Sequence, residues 1–426
     1  MKKKNLFLMA TTAMLMTPAL CVGFNPVTAE ASTTFKDVKS SHWAYGDISK
    51  VAQKGYLKGY EDGTFRPSNQ VTRSEFAAIL SRILGVETTK KNSFSDVPSN
   101  HWAYDSINKG ISAGFIEAGT GKFEPNKAMT RAEMATWLTK GLASKNSEYT
   151  TIVNTMAKSD LTLIPIPETY KGGVNKKDLP YIGVAIGTGL LNGYSDFTFK
   201  PNGNTTRAEV ASIITRYLNV IEKKPTDFSE LQELVEVAET GTNMVTVANI
   251  KVHEQSDGDF TALRKEWYEQ RSGIGKARVN RTILVDTTNP KNIKGVYRYM
   301  FTASSFNAKV MDMKPVYLAF NEHVYVASKS TPNAYSYTME SNKPELLNST
   351  VNPIPSYKSF GFPEGSIYSV NQWSDELNKQ VNGWNIKPGD EVTMWFSSWV
   401  DKFNDADFYD IDHIVNGKTY SFSSPL

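Results

Sequence analysis

The sequence is short of the residues on which several kinds of site depend. Cys21 is the one cysteine among 426 residues, so an intramolecular disulfide and a cysteine-based zinc site are both excluded. The 47 basic and 44 acidic residues give a net charge of +3, without the basic excess expected of a nucleic-acid-binding protein. His253, His323 and His413 are scattered, and there is no HExxH, GxSxG or P-loop motif. The sequence therefore contains no recognisable catalytic set, and an enzyme is the less favoured interpretation.

Length and composition are those of a folded protein with more than one domain. Hydrophobic residues make up 40% of the chain and charged residues 21%, which argues against wholesale disorder. A chain of this length predicts two or three domains. After the first thirty residues, no apolar run is long enough to predict a transmembrane helix.

The first 31 residues have the pattern of a secretory signal peptide. Three lysines precede a mostly apolar stretch from Leu6 to Leu20, and Ala29-Glu30-Ala31 offers small residues for cleavage before Ser32. A retained membrane anchor is the alternative, and a lipoprotein at Cys21 is disfavoured because bulky Leu20 precedes it. Cleavage would remove three lysines, one glutamate and the cysteine, which changes the net charge from +3 to +1.

Short motifs recur along residues 33–220. Thr-Arg-x-Glu occurs at 72–75, 130–133 and 206–209; His-Trp-Ala-Tyr at 42–45 and 101–104; and Phe-x-Asp-Val at 35–38 and 94–97. A loop of the form Gly-Tyr-x-Asp-x-Thr-Phe-x-Pro occurs at 59–67 and 193–201, and the middle unit keeps only its end, at 121–125. The chain therefore contains three repeats, of which the third carries about 18 extra residues.

Each repeat is predicted to form two helices joined by a loop. In the first repeat, Ser40 or Ser41 can cap a helix that ends at Gly55, and Thr72 opens a second helix. That second helix carries an apolar stripe through Phe76, Ile79, Leu80 and Ile83. Threonine at the N-cap, with glutamate three residues later, predicts a capping box at each Thr-Arg-x-Glu motif.

The arginine of this motif needs its own explanation. Arg73, Arg131 and Arg207 occupy the first helical position, where the helix dipole makes a cation mildly unfavourable. A bound carboxylate or phosphate would account for them, because free backbone N–H groups and a guanidinium suit an anion. An ion pair with an acidic neighbour is the alternative, and the residues alone leave both open.

The tryptophans and loop aspartates also have two interpretations. Trp43 and Trp102 can pack into the core, the commoner fate near a helix start, or can offer a flat face to a sugar ring. Asp62 and Asp196 are explained most simply as turn residues.

Together, these motifs resemble the S-layer homology repeats that attach proteins to Gram-positive cell walls. The resemblance covers residues 33–220 and implies a pseudo-trimer of helical prongs. Grooves between the prongs bind a secondary cell-wall polysaccharide, typically with a pyruvate ketal on N-acetylmannosamine. The resemblance thus implies a secreted protein of the cell wall or cell surface with a pyruvylated polysaccharide as its partner.

Carried over residue by residue, the resemblance assigns this binding to eight positions. The ketal carboxylate would meet Arg73, Arg131 and Arg207; the sugar would lie against Trp43 and Trp102; and the loop bordering the groove contains Asp62, Gly63 and Asp196. The third repeat departs from the pattern, with no Phe-x-Asp-Val or His-Trp motif and with Lys177 in the position of Trp43. The second repeat lacks the Asp-Gly loop. One or two competent grooves are therefore expected, with the third kept for architecture.

The fold class expected is multidomain. A signal peptide at 1–31 is followed by repeats at 32–90, 91–143 and 144–221, and residues 222–227 are predicted to be a linker. These α-rich repeats precede an α+β or mainly β module at 228–426, which resembles no family. Its predicted elements are helices from Phe228 to Val235, from Phe260 to Gln270 and from Gln372 to Val381; strands at 278–285, 295–302, 316–328 and 392–396; and a hairpin at 408–423 that turns at Asn416-Gly417.

The C-terminal half offers weak candidates for chemistry. Acidic residues crowd near its end, at Asp401, Asp405, Asp407, Asp410 and Asp412. The last four could bind calcium, but their spacing is not that of a twelve-residue calcium loop, and an alternating pair such as Asp410 and Asp412 also fits the wet face of a strand. Most of the five tryptophans here are predicted to be core, and Trp395 and Trp399 would share one face of a strand. Apart from calcium, no cofactor is expected.

Three functions remain open at this point. The leading one is a secreted protein anchored noncovalently to the wall, which displays its C-terminal half. A wall-associated glycan hydrolase with an unrecognised catalytic domain is the second, and a self-assembling lattice subunit is the third.

Overall fold

A computed structural model describes residues 34–270, 273–287, 289, 293–299, 317–330, 367–369, 387–400 and 410–424. Several predicted features lie outside these residues: the signal peptide at 1–31 with Cys21, the helix at 372–381 with Trp373, Trp384, and the acidic residues Asp401, Asp405 and Asp407. Among the helices described, none has both the length and the hydropathy needed to cross a membrane.

Three pairs of helices form the repeats. They are α1 (Tyr45–Gln53) with α2 (Arg73–Leu84), α3 (Tyr104–Ser112) with α4 (Arg131–Lys145), and α7 (Leu179–Gly187) with α8 (Arg207–Val220). The capping boxes at Thr72, Thr130 and Thr206 are all present, so the predicted start of the second helix in each repeat is confirmed. The extra length of the third repeat forms α5 (Glu148–Lys158), α6 (Pro167–Lys171) and a 3₁₀ turn at Lys176–Asp178.

The repeats close into a ring. Helix α2 packs on α3, α4 packs on α7, and α8 returns to pack on α1. At the centre, three buried residues exchange backbone hydrogen bonds in a cycle: Met129 donates to Val71 (2.8 Å), Thr205 to Met129 (3.3 Å) and Val71 to Thr205 (3.1 Å). Each precedes a capping threonine, so a pseudo-threefold axis runs through this cycle. The pseudo-trimer that the resemblance implies is therefore present.

The C-terminal half is an α+β structure, as expected. Its helices are α9 (Ser229–Thr240), α10 (Met244–Ala248) and α11 (Phe260–Leu263). A five-stranded sheet has the order β2-β3-β4-β6-β5, with β2 (Tyr268–Glu269), β3 (Gly275–Asp286), β4 (Tyr317–Ala327), β5 (Ile367–Ser369) and β6 (Glu391–Val400). A three-stranded antiparallel sheet has the order β1-β8-β7, with β1 (Lys251–Val252), β7 (Asp410–Val415) and β8 (Lys418–Ser423).

Two predicted elements of this half are wrong. The helix expected from Phe260 to Gln270 ends at Leu263, because Tyr268 and Glu269 pair with β3 as strand β2. The strand expected from Gly295 is a 3₁₀ turn at Val296–Tyr299 over its described part. The hairpin at the end is confirmed, with Asn416 and Gly417 at φ values of 52° and 77° that suit a type I′ turn.

The C-terminal half packs directly on the third repeat. Helix α9 contacts α5 and α7, and a Cβ on Gly187 would lie 2.7 Å from the Cα of Leu231, so the two backbones touch there. One apolar cluster runs from the repeats through α9 to Phe320 and Trp395, while a second cluster around Phe260 lies within the C-terminal half. Residues 222–227 therefore lead from α8 directly into a helix that packs on α5 and α7, so they do not act as a spacer.

Polar contacts reinforce this junction. Arg281 on β3 is fully buried, pairs with Glu322 at 2.7 Å and donates to the Tyr170 hydroxyl of the third repeat at 3.1 Å. The Tyr297 hydroxyl donates to the carbonyl oxygen of Leu163 at 3.0 Å. The segment from α5 to α6 receives these bonds. This part of the third repeat therefore forms the surface on which the C-terminal half packs.

Candidate functional site

The three arginines of the repeated motif link successive repeats. Each donates its Nε–H over 2.8 Å to the carbonyl oxygen of a loop phenylalanine in the next repeat; the pairs are Arg73–Phe123, Arg131–Phe199 and Arg207–Phe65. The last of these closes the ring from the third repeat back to the first. The arginines therefore hold the pseudo-trimer together.

Acidic partners complete these links. Arg73 pairs with Glu133, and Nη1 of Arg207 lies 4.0 Å from Oε1 of Glu75, so each meets the capping glutamate of the next repeat. Burial lowers the pKa of Arg131, and the charges of its acidic neighbours, Glu209 among them, oppose this shift. The ion pair that the sequence left as an alternative is therefore present for Arg73 and Arg207.

The helix N-termini have no free N–H groups to offer an anion. The N–H groups of Arg73 and Ser74 donate to the carbonyls of Lys127 and Pro125 in the next repeat, at 2.9 and 3.1 Å, and the other two repeats make the same pair of bonds. Capping threonine and glutamate satisfy the remaining first-turn groups. The first-turn N–H groups of α2, α4 and α8 are therefore not available to an anion, and guanidinium and ammonium groups remain as candidates to hold one.

A carboxylate clamps the loop of each repeat. Asp37 accepts the N–H groups of Phe65 and Arg66 at 2.8 and 2.7 Å, and Asp96 accepts those of Phe123 and Glu124 at 2.8 Å. In the third repeat, which lacks the Phe-x-Asp-Val motif, Glu168 accepts the N–H groups of Phe199 and Lys200. The clamped residues before proline have positive φ in all three loops: Arg66 57°, Glu124 58° and Lys200 53°.

Glu168, the third clamp, was not predicted from the sequence. The signal for it is the apolar-x-acidic spacing of Ile166 and Glu168, which matches that of Phe35 and Asp37 in the first repeat. Trp137 was not predicted either; it is a buried residue of α4 whose ring lies 5.4 Å from the Arg73 guanidinium.

Two loop aspartates at matching positions of the first and third repeats act within their own turns. Asp62 accepts the N–H and the hydroxyl of Thr64, at 3.0 and 2.6 Å, and pairs with Arg66 at 2.9 Å. Hydrogen bonds from Thr64 and Arg66 hold the pKa of Asp62 well below its usual range. Asp196 accepts the same two groups of Thr198, at 3.1 and 2.6 Å, which gives both aspartates the turn role. Gly63 adopts a φ of 79° in the same turn.

Trp43 and Trp102 are exposed, contrary to the commoner fate of a tryptophan near a helix start. Their exposed fractions are 67% and 61%, the highest among the large hydrophobic residues described. They precede α1 and α3, at the ends of the interfaces α8–α1 and α2–α3. An exposed indole leaves its flat apolar face and its N–H group accessible to a ligand.

A groove with a volume of about 350 Å³ lies between α4 and α7. Its lining includes aromatic side chains (Phe94, Phe115, Phe123, Trp137 and Tyr181), cations (Arg73, Lys122, Lys140 and Lys177) and acids (Glu117, Glu133 and Asp178). Arg73 pairs with Glu133, and Lys140 pairs with Glu117 at 2.7 Å. Lys122 and Lys177 are exposed, so the groove can offer positive charge to an anionic ligand beside an aromatic wall.

The register of the repeats gives each helix pair an equivalent set of residues. Arg73, Lys140 and Lys177 belong to α4–α7, Arg207, Arg82 and Trp102 to α2–α3, and Arg131, Arg216 and Trp43 to α8–α1. In the third set, the two cations lie near enough to interact. Burial lowers the pKa of Arg216, the charge of Asp47 raises it, and the charge of Arg131 lowers it further. Each set combines two cations with either a tryptophan or a lysine.

The calcium candidates lie mostly outside the described residues. Of Asp410 the structure describes only the backbone, in β7. Asp412 is exposed on β7, between buried Ile411 and His413, which matches the wet face of a strand. Trp395 is buried, while for Trp399 only the backbone position on β6 is described.

The family model of the S-layer homology domain matches residues 34–77, 93–135 and 174–211. The chain is similar to S-layer protein sap of Bacillus anthracis, with 26% identity over 306 residues that cover 70% of this chain and 36% of the relative. An S-layer protein of Bacillus thuringiensis subsp. finitimus is 24% identical over 333 residues, or 76% of this chain and 38% of the relative.

A third relative is named for a different role. The cellulosome-anchoring protein of Acetivibrio thermocellus is 33% identical over 194 residues, which cover 42% of this chain and 40% of the relative. The chain thus spans less than half the length of these curated relatives. The match to the two S-layer proteins is longer than the three repeats, so it runs into the C-terminal half.

The matched residues coincide with the three units of the ring, including the third, in which Glu168 and Lys177 replace the usual residues. Residues 34–77, 93–135 and 174–211 of this chain are therefore three S-layer homology domains.

Proposed function

We propose that this chain is a secreted cell-surface protein that its three S-layer homology domains hold noncovalently on the cell wall. The domains and the S-layer relatives support the surface location and the attachment. The C-terminal half is then displayed from the wall at a fixed angle, because it shares a core with the third repeat.

The polymer we propose is a pyruvylated secondary cell-wall polysaccharide. The observation that carries this proposal is the repeated set of two cations at each of the three helix interfaces, joined at two of them by an exposed tryptophan. A ketal carboxylate suits a guanidinium, and a sugar ring suits the flat face of an indole. Several shallow grooves on one rigid ring would bind a repeating polymer with avidity.

The grooves differ in the ligand contacts that they can make. The α8–α1 and α2–α3 interfaces combine cations with Trp43 and Trp102, whereas the α4–α7 groove has Lys177 in that position. We propose that the two tryptophan-containing grooves bind the sugar by stacking. The α4–α7 groove would then contribute mainly charge, through Lys177 and the exposed Lys122.

Co-sedimentation with purified walls tests this function. Alanine at Arg131 or Arg207 would disturb the ring itself, so the informative variant is the exposed double change Trp43→Ala/Trp102→Ala. We expect it to melt at the parent temperature and to lose most of its wall retention. The control is Val245→Ala, an exposed apolar residue on α10 that should bind like the parent. Parental retention of the double variant would contradict the tryptophan part of the proposal.

A lattice subunit is a second candidate. It is favoured by the length of the match to two S-layer proteins, which extends beyond the repeats. Negative-stain electron microscopy of the full chain, with and without added calcium, would test it. Ordered sheets would support this function, and sheets that form only with calcium would also support a calcium site among the acidic residues near β7. Monomers under all conditions would rule against self-assembly.

A further inference from the structure

We infer that His42 and His101 are positioning residues that hold the indoles of Trp43 and Trp102 ready for a sugar ring. This inference rests on the proposed function, since it gives the exposed tryptophans a binding role. It adds two residues that the binding assignment above does not include.

The geometry is the same in two repeats. The ring centroids of His42 and Trp43 lie 5.8 Å apart with an interplanar angle of 26°, and those of His101 and Trp102 lie 5.9 Å apart at 28°. Such distances and tilts are those of offset stacked rings. Independent recurrence of one arrangement, 59 residues apart in the sequence, indicates that the pairing is built into the motif.

Backbone bonds fix each imidazole in place. Nδ1 of His42 accepts the N–H of Ala44 at 3.1 Å, and Nδ1 of His101 accepts that of Ala103 at 3.2 Å. The backbone N–H of His42 in turn donates to the Lys39 carbonyl at 2.9 Å. The ring is thus tied to the turn that opens the helix, and it can act as a fixed wall beside the indole.

A fixed indole binds at lower entropic cost than a free one. An exposed side chain loses rotational freedom when a ligand orders it, and this loss reduces the affinity. Trp43 and Trp102 are mostly exposed, so little of the core restrains them. The stacked imidazole supplies that restraint before the sugar arrives.

The third repeat shows that the turn itself does not require histidine. There, Asn175 Oδ1 accepts the N–H of Lys177 at 3.4 Å, so the N–H of residue i+2 again donates to the side chain of residue i, one position earlier in the turn. Lys177 occupies the position of the tryptophan, and no imidazole accompanies it. Histidine is therefore present in the two repeats that present an indole and absent from the one that does not.

The test separates the ring from the hydrogen-bond acceptor in the full chain. His42→Asn/His101→Asn keeps an acceptor for the alanine N–H but removes the ring. His42→Phe/His101→Phe keeps a ring but removes the acceptor. Both are labelled with 5-fluorotryptophan, and the ¹⁹F signals of Trp43 and Trp102 are assigned by single Trp→Phe changes.

We expect the asparagine variant to melt within a few degrees of the parent. The ¹⁹F lines of Trp43 and Trp102 should narrow as the indoles gain motion, and its dissociation constant for purified walls should rise about two- to tenfold for each groove. The phenylalanine variant should melt lower but keep more of the wall affinity. A role in folding alone would give the reverse order of affinities.

Two outcomes would overturn the inference. One is an asparagine variant with parental ¹⁹F line widths and parental wall affinity. The other is an asparagine variant that binds walls like the parent although Trp43→Ala/Trp102→Ala does not. In that case the tryptophans would remain binding residues, and the histidines would have no positioning role. If the tryptophan variant itself binds like the parent, the failure is instead in the proposed function on which the inference depends.

Discussion

At the scale of single residues, the arginine of the Thr-Arg-x-Glu motif holds neighbouring repeats together, and binding of the polymer is a second role that we propose for it. The sequence alone showed that a cation at the first helical position needs a partner. It could not show which partner, because Arg207 and the Phe65 carbonyl are 142 residues apart. The structure gives the arginine two partners in the next repeat, a carbonyl and a capping glutamate, and both were beyond any local pattern.

This double role predicts a stability cost that differs between the arginines. Arg207 is 3% exposed, so Arg207→Ala should leave the Phe65 and Lys58 carbonyls without a donor and lower the free energy of unfolding by about 2–4 kcal/mol. The Arg73 side chain is 18% exposed, so Arg73→Ala should cost roughly half as much. Urea unfolding measures both, and equal small losses would contradict the role of Arg207 in closing the ring.

At the scale of elements, the loop before each second helix depends on one carboxylate. Asp37, Asp96 and Glu168 each hold two N–H groups of a loop, and the second of these belongs to a residue with positive φ. The helices were predictable because their caps and apolar stripes lie within a dozen residues. The clamps were not, because a carboxylate and its loop are 27 to 32 residues apart and the third clamp is a glutamate.

The clamp of the second repeat predicts sensitivity to acid. Burial tends to raise the pKa of Asp96, but the N–H groups of Phe123 and Glu124 outweigh it, and the net effect lowers the pKa. A lowered pKa in the folded state means that the stabilisation is complete at neutral pH. This stabilisation is then lost as the pH falls below about 4 and through the folded-state pKa of Asp96.

Melting temperatures between pH 7 and pH 2 measure this effect. Asp96→Asn should melt below the parent at pH 7 and change less than the parent as the pH falls. Glu61→Gln, at an exposed position of the first loop, is the control and should follow the parent. Parallel curves for the parent and Asp96→Asn would show that the carboxylate does not stabilise the loop through its charge.

At the scale of the whole molecule, the two halves form one packed body. The repeats could be predicted from the sequence because their motifs recur. The β hairpin at Asn416-Gly417 could be predicted because its turn depends on two adjacent residues. The junction could not be predicted, because the hydrogen bond from Tyr297 to Leu163 joins residues 134 positions apart. The close approach of Gly187 to Leu231 also corresponds to no motif in the sequence. For this reason, residues 222–227 were predicted to be a linker.

A buried carboxyl on α9 predicts a loss of stability as the pH rises. Burial raises the pKa of Glu233 on α9 to about 8, against a hydrogen bond from Asn243 that lowers it. A raised folded-state pKa means that folding favours the neutral carboxyl, so stability should fall as the pH rises between about 4 and 8. Glu233→Gln should remove this dependence and melt above the parent at pH 9, as calorimetry would measure. A variant that melts below the parent at pH 9 would contradict the buried neutral carboxyl.

We propose that the ring of S-layer homology domains binds an acidic wall polysaccharide. Isothermal titration of the full chain with the purified polysaccharide, before and after mild acid removes its pyruvate ketals, tests it most directly. The account predicts binding that weakens at least about tenfold when the ketals are removed and that falls with added salt, because the cations then lose their anion. Equal affinity for the two polymers would contradict the assignment of the arginine and lysine grooves to a carboxylate.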